Sequence, residues 1–322
     1  MGKSIVLMFT IILVTPGCHI RNKENRESRY TTIVKLAIKD QKVSSEWIEA
    51  LRTRESGAYL DSLADSTRPI SEEELAWYKL IASIAGDLNL IRDSLNVPFN
   101  DIAIADTIYI LLGYHGSDDG FTYQNQTICF DLTALYDNYG SAHDITNGDR
   151  MMRLMSHEFT HLLAKKWMKK NKYEVPKNHF AADTAFRKHI LWEMWYEGFG
   201  VYRSMSSKWF PKGDSLSPAT QKVLGELSPV FVEKVLLMDT TKVLTTDQKR
   251  WIQENVSDGP FRQKYAALPI GIWLALEARG NDENLSEWVN RGPDGILGLA
   301  KKHLTGEHKK KFDEVFHDRY NF

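Results

Sequence analysis

Two histidines four residues apart, with a glutamate directly after the first, stand at His157-Glu158-Phe159-Thr160-His161, an HExxH motif. On a helix, positions i and i+4 lie one above the other, so both imidazoles leave the same face. Two neutral imidazoles placed this way can bind one Zn²⁺, each at about 2.0–2.1 Å. The glutamate beside the first can then act as general base toward a water that the metal activates. The residue types and their spacing predict a zinc-dependent hydrolase, foremost a peptidase.

A catalytic zinc usually keeps three protein ligands and one open position. Candidates for the third lie downstream, around Trp192-Glu193-Met194-Trp195-Tyr196-Glu197-Gly198. His189, Glu193 and Glu197 are spaced i, i+4, i+8 and share one helix face. Their spacing alone does not choose among them.

These residues need elements to hold them. Met151, Leu154, Met155, Phe159, Leu162, Leu163 and Trp167 recur at helical spacing and predict a helix with a broad buried face around the motif. Asn147 or Asp149 could cap its start, and Lys165, Lys166, Lys169 and Lys170 suit its negative end. A glutamate between two core histidines would be a buried carboxylate without a partner, which argues against a purely structural histidine pair. The segment Asn171 to Asp183, with Pro176, predicts a loop before the next helix.

Upstream, Thr107 to Leu112 reads as a strand, Gly113 to Gln126 as a polar loop and Thr127 to Leu132 as a second strand, together an antiparallel pair. Trp47 to Ala64 and Glu72 to Leu95 have helical spacing, and Ser71 with Glu74 forms a capping box. Thr31 to Lys39 fits strand and helix equally. Beyond Lys212 the chain predicts helices at 217–239, 246–256, 263–279, 294–304 and 308–317. One half is mixed and the other helical, so the predicted fold class is α+β, mainly helical, with a catalytic region at 31–210 and a helical lobe at 211–322.

HExxH followed by a tryptophan-containing helix with a Glu-Gly pair resembles the gluzincin branch of the zincin metallopeptidases, the thermolysin- and aminopeptidase-like (peptidase MA) superfamily. The layout is similar to bacterial predicted zinc-dependent lipoprotein proteases. In the superfamily a W-x-x-E-G signature supplies the third ligand. Here the chain reads Trp195-Tyr196-Glu197-Gly198, one residue shorter, and the interval from His161 is longer. The resemblance implies a zincin-like fold, Zn²⁺ on His157, His161 and Glu197, Glu158 as the catalytic base, and a peptide or protein substrate pairing with a strand beside the cleft. Val201 stands where thermolysin-like enzymes carry an orienting aspartate, so Glu193 is the candidate for that outer role. Tyr202, Tyr265 and Tyr196 are candidates for the oxyanion donor. The chain lacks the Gly-x-Met-x-Asn run of many aminopeptidases in the superfamily, which favours an endopeptidase.

The 322 residues carry 41 Lys+Arg and 42 Asp+Glu, and a net charge of −1 leaves no electrostatic footprint for nucleic acid. Lys3, the apolar run Ile5 to Val14 and Thr15-Pro16-Gly17-Cys18 predict an export signal at 1–18 that resembles a bacterial lipobox. Cys18 is then the lipidated residue, 19–30 a tether, and the protein an exported lipoprotein of the bacterial cell envelope, held to the membrane by its lipid alone. Cys129 would remain unpaired and fits a small core residue. A rival expectation is a non-catalytic surface lipoprotein acting in binding or assembly. There a fourth ligand from His143, His179 or His189 would close the metal site.

Overall fold

The computed structural model describes residues 29–316, apart from 55–57, 101, 117, 212–214 and 240. Cys18, the export signal and nearly all of the expected tether lie outside the described residues. The chain is mainly helical with a small mixed sheet. Among the described residues no helix is long and apolar enough to cross a membrane.

The sheet has four strands in the order β1-β4-β6-β5. Strand β1 (Thr31–Leu36) runs parallel to β4 (Thr107–Gly113), which runs parallel to β6 (Thr127–Asp131). Strand β5 (Gly120–Tyr123) is antiparallel to β6 and forms one edge. The expected antiparallel pairing of 107–112 with 127–132 is therefore wrong: those segments are parallel neighbours, and the antiparallel partner of β6 lies inside the expected loop. Gly120-Phe121-Thr122-Tyr123 alternates small or polar with aromatic residues, but four residues between Gly-, Asp- and Asn-rich turns give too short a pattern to read. A two-residue hairpin, β2 (Ile38–Lys39) with β3 (Lys42–Val43), stands apart.

Both sheet faces are covered. On β4 the alternation is direct: Ile108, Ile110 and Leu112 enter the main core, while Leu111 packs on the opposite face with Trp47, Phe121 and Cys129. That second face is covered by α1 (Ser45–Arg52) and α2 (Ala58–Asp65), two helices where the spacing predicted one. On the main face lie α3 (Glu72–Asn96), opened by the expected Ser71–Glu74 capping box, and the helix of the HExxH motif. The short α4 (Leu132–Tyr139) follows β6, capped by the Asp131 side chain on the Ala134 amide.

Two long helices form the centre of the molecule. Helix α5 (Asn147–Lys170) carries HExxH, and α6 (Asp183–Trp209) carries Glu197, with 171–182 as the loop between them. Neither expected cap operates at the start of α5. The N-cap is Thr146, without a side-chain bond, while the Asn147 amide is buried and donates to the Ser141 carbonyl at 2.8 Å. Behind α6 lie α7 (Pro218–Leu236), α8 (Thr246–Gln253), α9 (Ala267–Ala278), α10 (Ser286–Arg291), α11 (Ile296–His303) and α12 (Gly306–Phe316). Of these, α10 had not been expected. One apolar core runs without interruption from Trp77 on α3 through Phe159, Trp195 and Trp273 to Phe316.

Helix α9 is buried along almost its whole length and packs closely on α6. Gly198 permits this approach: a Cβ there would stand 2.3 Å from Ile270 Cγ2. The glycine after Glu197 thus places the carboxylate-bearing turn between α5 on one side and α9 on the other.

Candidate metal centre

His157 and His161 leave α5 side by side, with ring centroids 4.5 Å apart. Glu197 comes across from α6 to face both. Its Oε2 lies 3.4 Å from His157 Nε2 and its Oε1 lies 3.5 Å from His161 Nε2. These separations exceed the 2.7–3.2 Å of a good N–H···O bond. They match the edge of a tetrahedron whose centre is about 2.0–2.1 Å from each corner, which is about 3.3–3.4 Å. Each imidazole nitrogen faces a different oxygen of Glu197, at separations that would also admit a zinc-sized ion between them.

The tightest group of ligand-type side chains consists of the motif residues themselves, with Glu197 beside them. Ligand-type atoms of His157, Glu158 and His161 all lie within 4.8 Å of one another. Glu158 is buried, and its Oε2 has no hydrogen-bond partner in the protein. Burying an unpaired carboxylate is costly, so this oxygen is built to meet something the chain itself does not supply. The centre is open on one side: the side chains of His157 and Glu197 are 17% and 25% exposed, against 5% for His161.

The two carboxylates are driven apart electrostatically. Burial pushes Glu158 up to about 7, although the His157 charge opposes this. Partial burial also pushes Glu197 up, but His161 and His157 outweigh it and hold the carboxyl at about 2. Two acids with opposed environments on one site is the pattern that separates a proton-transferring group from a permanently ionised one. Burial lowers His161 well below its ordinary value, keeping it neutral as a ligand must be.

Two neighbours on α6 fix the imidazoles. The Tyr196 ring lies flat on His161, centroids 3.8 Å apart at 3°. Gly200 lets His157 lie directly on the helix backbone: a Cβ there would stand 2.6 Å from His157 Cε1 and 2.7 Å from Nε2. The strand β5 borders the site from the other side. A Cβ on Gly120 would be 3.5 Å from Glu158 Oε1, and Thr122 Oγ1 is 3.4 Å from the Tyr196 hydroxyl. The expectation named Glu197-Gly198 but assigned no task to Gly200, and spacing could not have shown that a ring rests there.

Several expected site residues lie elsewhere. Tyr202 donates its hydroxyl to Asp282, and Tyr265 donates to the Ile252 carbonyl at 2.7 Å. Neither hydroxyl is available as an oxyanion donor, and of the three tyrosines only Tyr196 adjoins the imidazoles. Glu193 does not orient a metal imidazole. It accepts from Ser257 Oγ at 2.5 Å and lies 3.7 Å from His189 Nε2, one turn from Glu197. His189 stacks on His179 at 3.7 Å, and His179 meets Gln253 at 3.2 Å. His143 is exposed in the turn after α4. None of these three histidines joins the HExxH cluster, so none closes it.

No protein-family model, curated protein or solved structure is similar enough to the chain to place it in a family.

Proposed function

We propose that the protein is a zinc-dependent peptidase of the zincin type. The observation that carries this reading is the placement of Glu197 oxygens 3.4 and 3.5 Å from the two HExxH imidazoles, on a face left partly open. His157, His161 and Glu197 would hold the ion. Bound there, zinc would polarise a peptide carbonyl and bring the pKa of a coordinated water toward about 7.

The chain's own residues do the rest. Glu158, buried and poised near neutrality, takes a proton from the attacking water and passes it to the departing amine. Tyr196 holds the His161 ring in plane by stacking. Its hydroxyl, which makes a long contact to Thr122, is a candidate donor for charge developing on the carbonyl oxygen. The outward edge of β5 beside Glu158 offers main-chain groups to an extended peptide, a mode of binding that tolerates many side chains. An open coordination face with an intact Glu158 supports an enzyme over a closed structural site.

The test is direct. Purified protein should take up about one zinc per chain, cleave unstructured peptides, lose that activity to a chelator and regain it with zinc. Glu158→Gln should bind zinc as well as the parent and lose hydrolysis by at least about 10²-fold. A chain that takes up no zinc, or a Glu158→Gln variant that still cleaves, would refute the reading.

A further inference from the structure

Strand β5 borders the site, but its outer edge is not uniform. Its pairing with β6 follows the register Gly120↔Phe130, Phe121↔Cys129, Thr122↔Ile128 and Tyr123↔Thr127. The Asp131 amide donates to the Asp119 carbonyl, so the bonded positions of this ladder are 119, 121 and 123. The main-chain groups of Gly120 and Thr122 therefore point away from the sheet, where a further strand would pair.

The two positions differ. Gly120 is partly exposed and sits beside Glu158. Thr122 is only 6% exposed, although it lies on an edge. Lys165 Nζ donates to its carbonyl at 2.8 Å. Lys165 lies two turns beyond Glu158 on α5, and helix side chains lean toward the N-terminus. Its side chain thus reaches back toward β5, and the Tyr196 hydroxyl meets Thr122 from α6. Past Tyr123 the chain turns away at Gln124, in a left-handed conformation with φ 53°.

We infer that Lys165 walls off the Thr122 end of the β5 edge and makes the protein selective for peptides whose chain ends near the cleaved bond on that side. The inference rests on the peptidase reading and narrows its substrate class. A peptide can pair with Gly120 and reach the Thr122 amide. It cannot continue as a strand, because Thr122 is only 6% exposed and the Lys165 side chain lies against its outward carbonyl. The site is open in one direction and blind in the other, which argues for cleavage near a chain end rather than within a long extended segment. Lys165 here determines specificity and takes no part in the bond cleavage.

The test uses zinc-loaded full-length protein and two series of fluorogenic peptides sharing one core. One series is lengthened residue by residue at the amino end, the other at the carboxyl end. For the parent, kcat/KM should fall about tenfold or more beyond one or two added residues in one series and stay level in the other. Lys165→Ala should bring the disfavoured series to within about threefold of the other. Lys165→Met, which keeps the stem and frees the carbonyl, should retain most of the length limit. Zinc content and thermal midpoint of both variants verify that they are folded, and the ratio between the series cancels any shared loss of activity. Equal tolerance of both extensions, or a length limit unchanged in folded Lys165→Ala, overturns the inference and leaves the peptidase reading standing. Failure to cleave any peptide overturns both.

Discussion

The ring of His157 rests on the backbone of Gly200, so closely that a Cβ at position 200 would stand 2.6 Å from the ring. Gly200→Ala is therefore expected to push the imidazole off its bearing without harming the helix, since alanine is the better helix former by about 1 kcal/mol. Zinc affinity should fall about 10–100-fold, the usual range for displaced outer support of a ligand, with little change in helical content. Competition with a chromophoric chelator measures the affinity. An unchanged value would mean that His157 does not bind metal in this pose.

Glu193 and Glu197 stand one turn apart on α6 and are expected to respond differently. Glu197→Gln should abolish stoichiometric zinc uptake, because its two oxygens lie 3.4 and 3.5 Å from the two imidazoles. Glu193→Gln should keep the metal, because its partners are Ser257 and His189. Metal analysis of the two purified variants decides it, and the reverse ranking would move the ligand one turn toward the start of α6.

Tyr196 offers two separable contributions. Tyr196→Phe keeps the ring on His161 and removes only the hydroxyl. It should bind zinc normally and lose about 10²-fold or more in kcat with little change in KM, the cost of a missing oxyanion donor. Tyr196→Ala should lose zinc affinity as well. If the phenylalanine variant turns over at the parental rate, the hydroxyl serves packing alone.

Far from the cleft, Glu74 links α3 to the loop before it and predicts an acid-sensitive fold. Burial pushes its carboxyl up, but hydrogen bonds from Arg68, Thr133 and the Ser71 amide outweigh that and hold it at about 2, against 4.5 when free. The folded chain thus binds this proton more weakly than the unfolded one. The group's contribution is complete above pH 4.5 and is lost as the pH falls toward 2. It amounts to about 3 kcal/mol, taking about 1.4 kcal/mol per pKa unit. Denaturant midpoints between pH 2 and 6 should fall steeply for the parent. Glu74→Gln should be weaker at neutral pH and show a shallower decline; parallel curves for the two would remove Glu74 as the cause.

Most of the candidate centre was legible because helical periodicity is local. His157, Glu158 and His161 need only one helix to share a face, and α5 spans them all. Glu197 could not be preferred to Glu193 by spacing, since both lie on one face of α6. The turn of that face toward α5 is set by Gly198 against Ile270, a contact 72 positions distant in sequence. The edge strand β5 falls within the segment whose sequence predicts a loop, because four residues carry too little alternation to register. Lys165 looked like a charge for the helix end, whereas its ammonium belongs to Thr122 on another element. Tyr202 and Tyr265 were plausible hydroxyls until their long-range acceptors, Asp282 and Ile252, became visible. What local pattern conveys is chemical type and face; which neighbour that face meets is decided by packing between distant segments.

The turn of α6 that presents Glu197 contains glycine at both 198 and 200, each about 1 kcal/mol worse than alanine in a free helix. The segment that presents the carboxylate is thus weak as a free helix, and Ile270 packs directly behind it. Damage to α9, which packs against Gly198 through Ile270, would reach the centre as a loosened carboxylate. Silent-looking changes in that apolar helix would then surface first as poor metal retention, before the chain as a whole lost its shape.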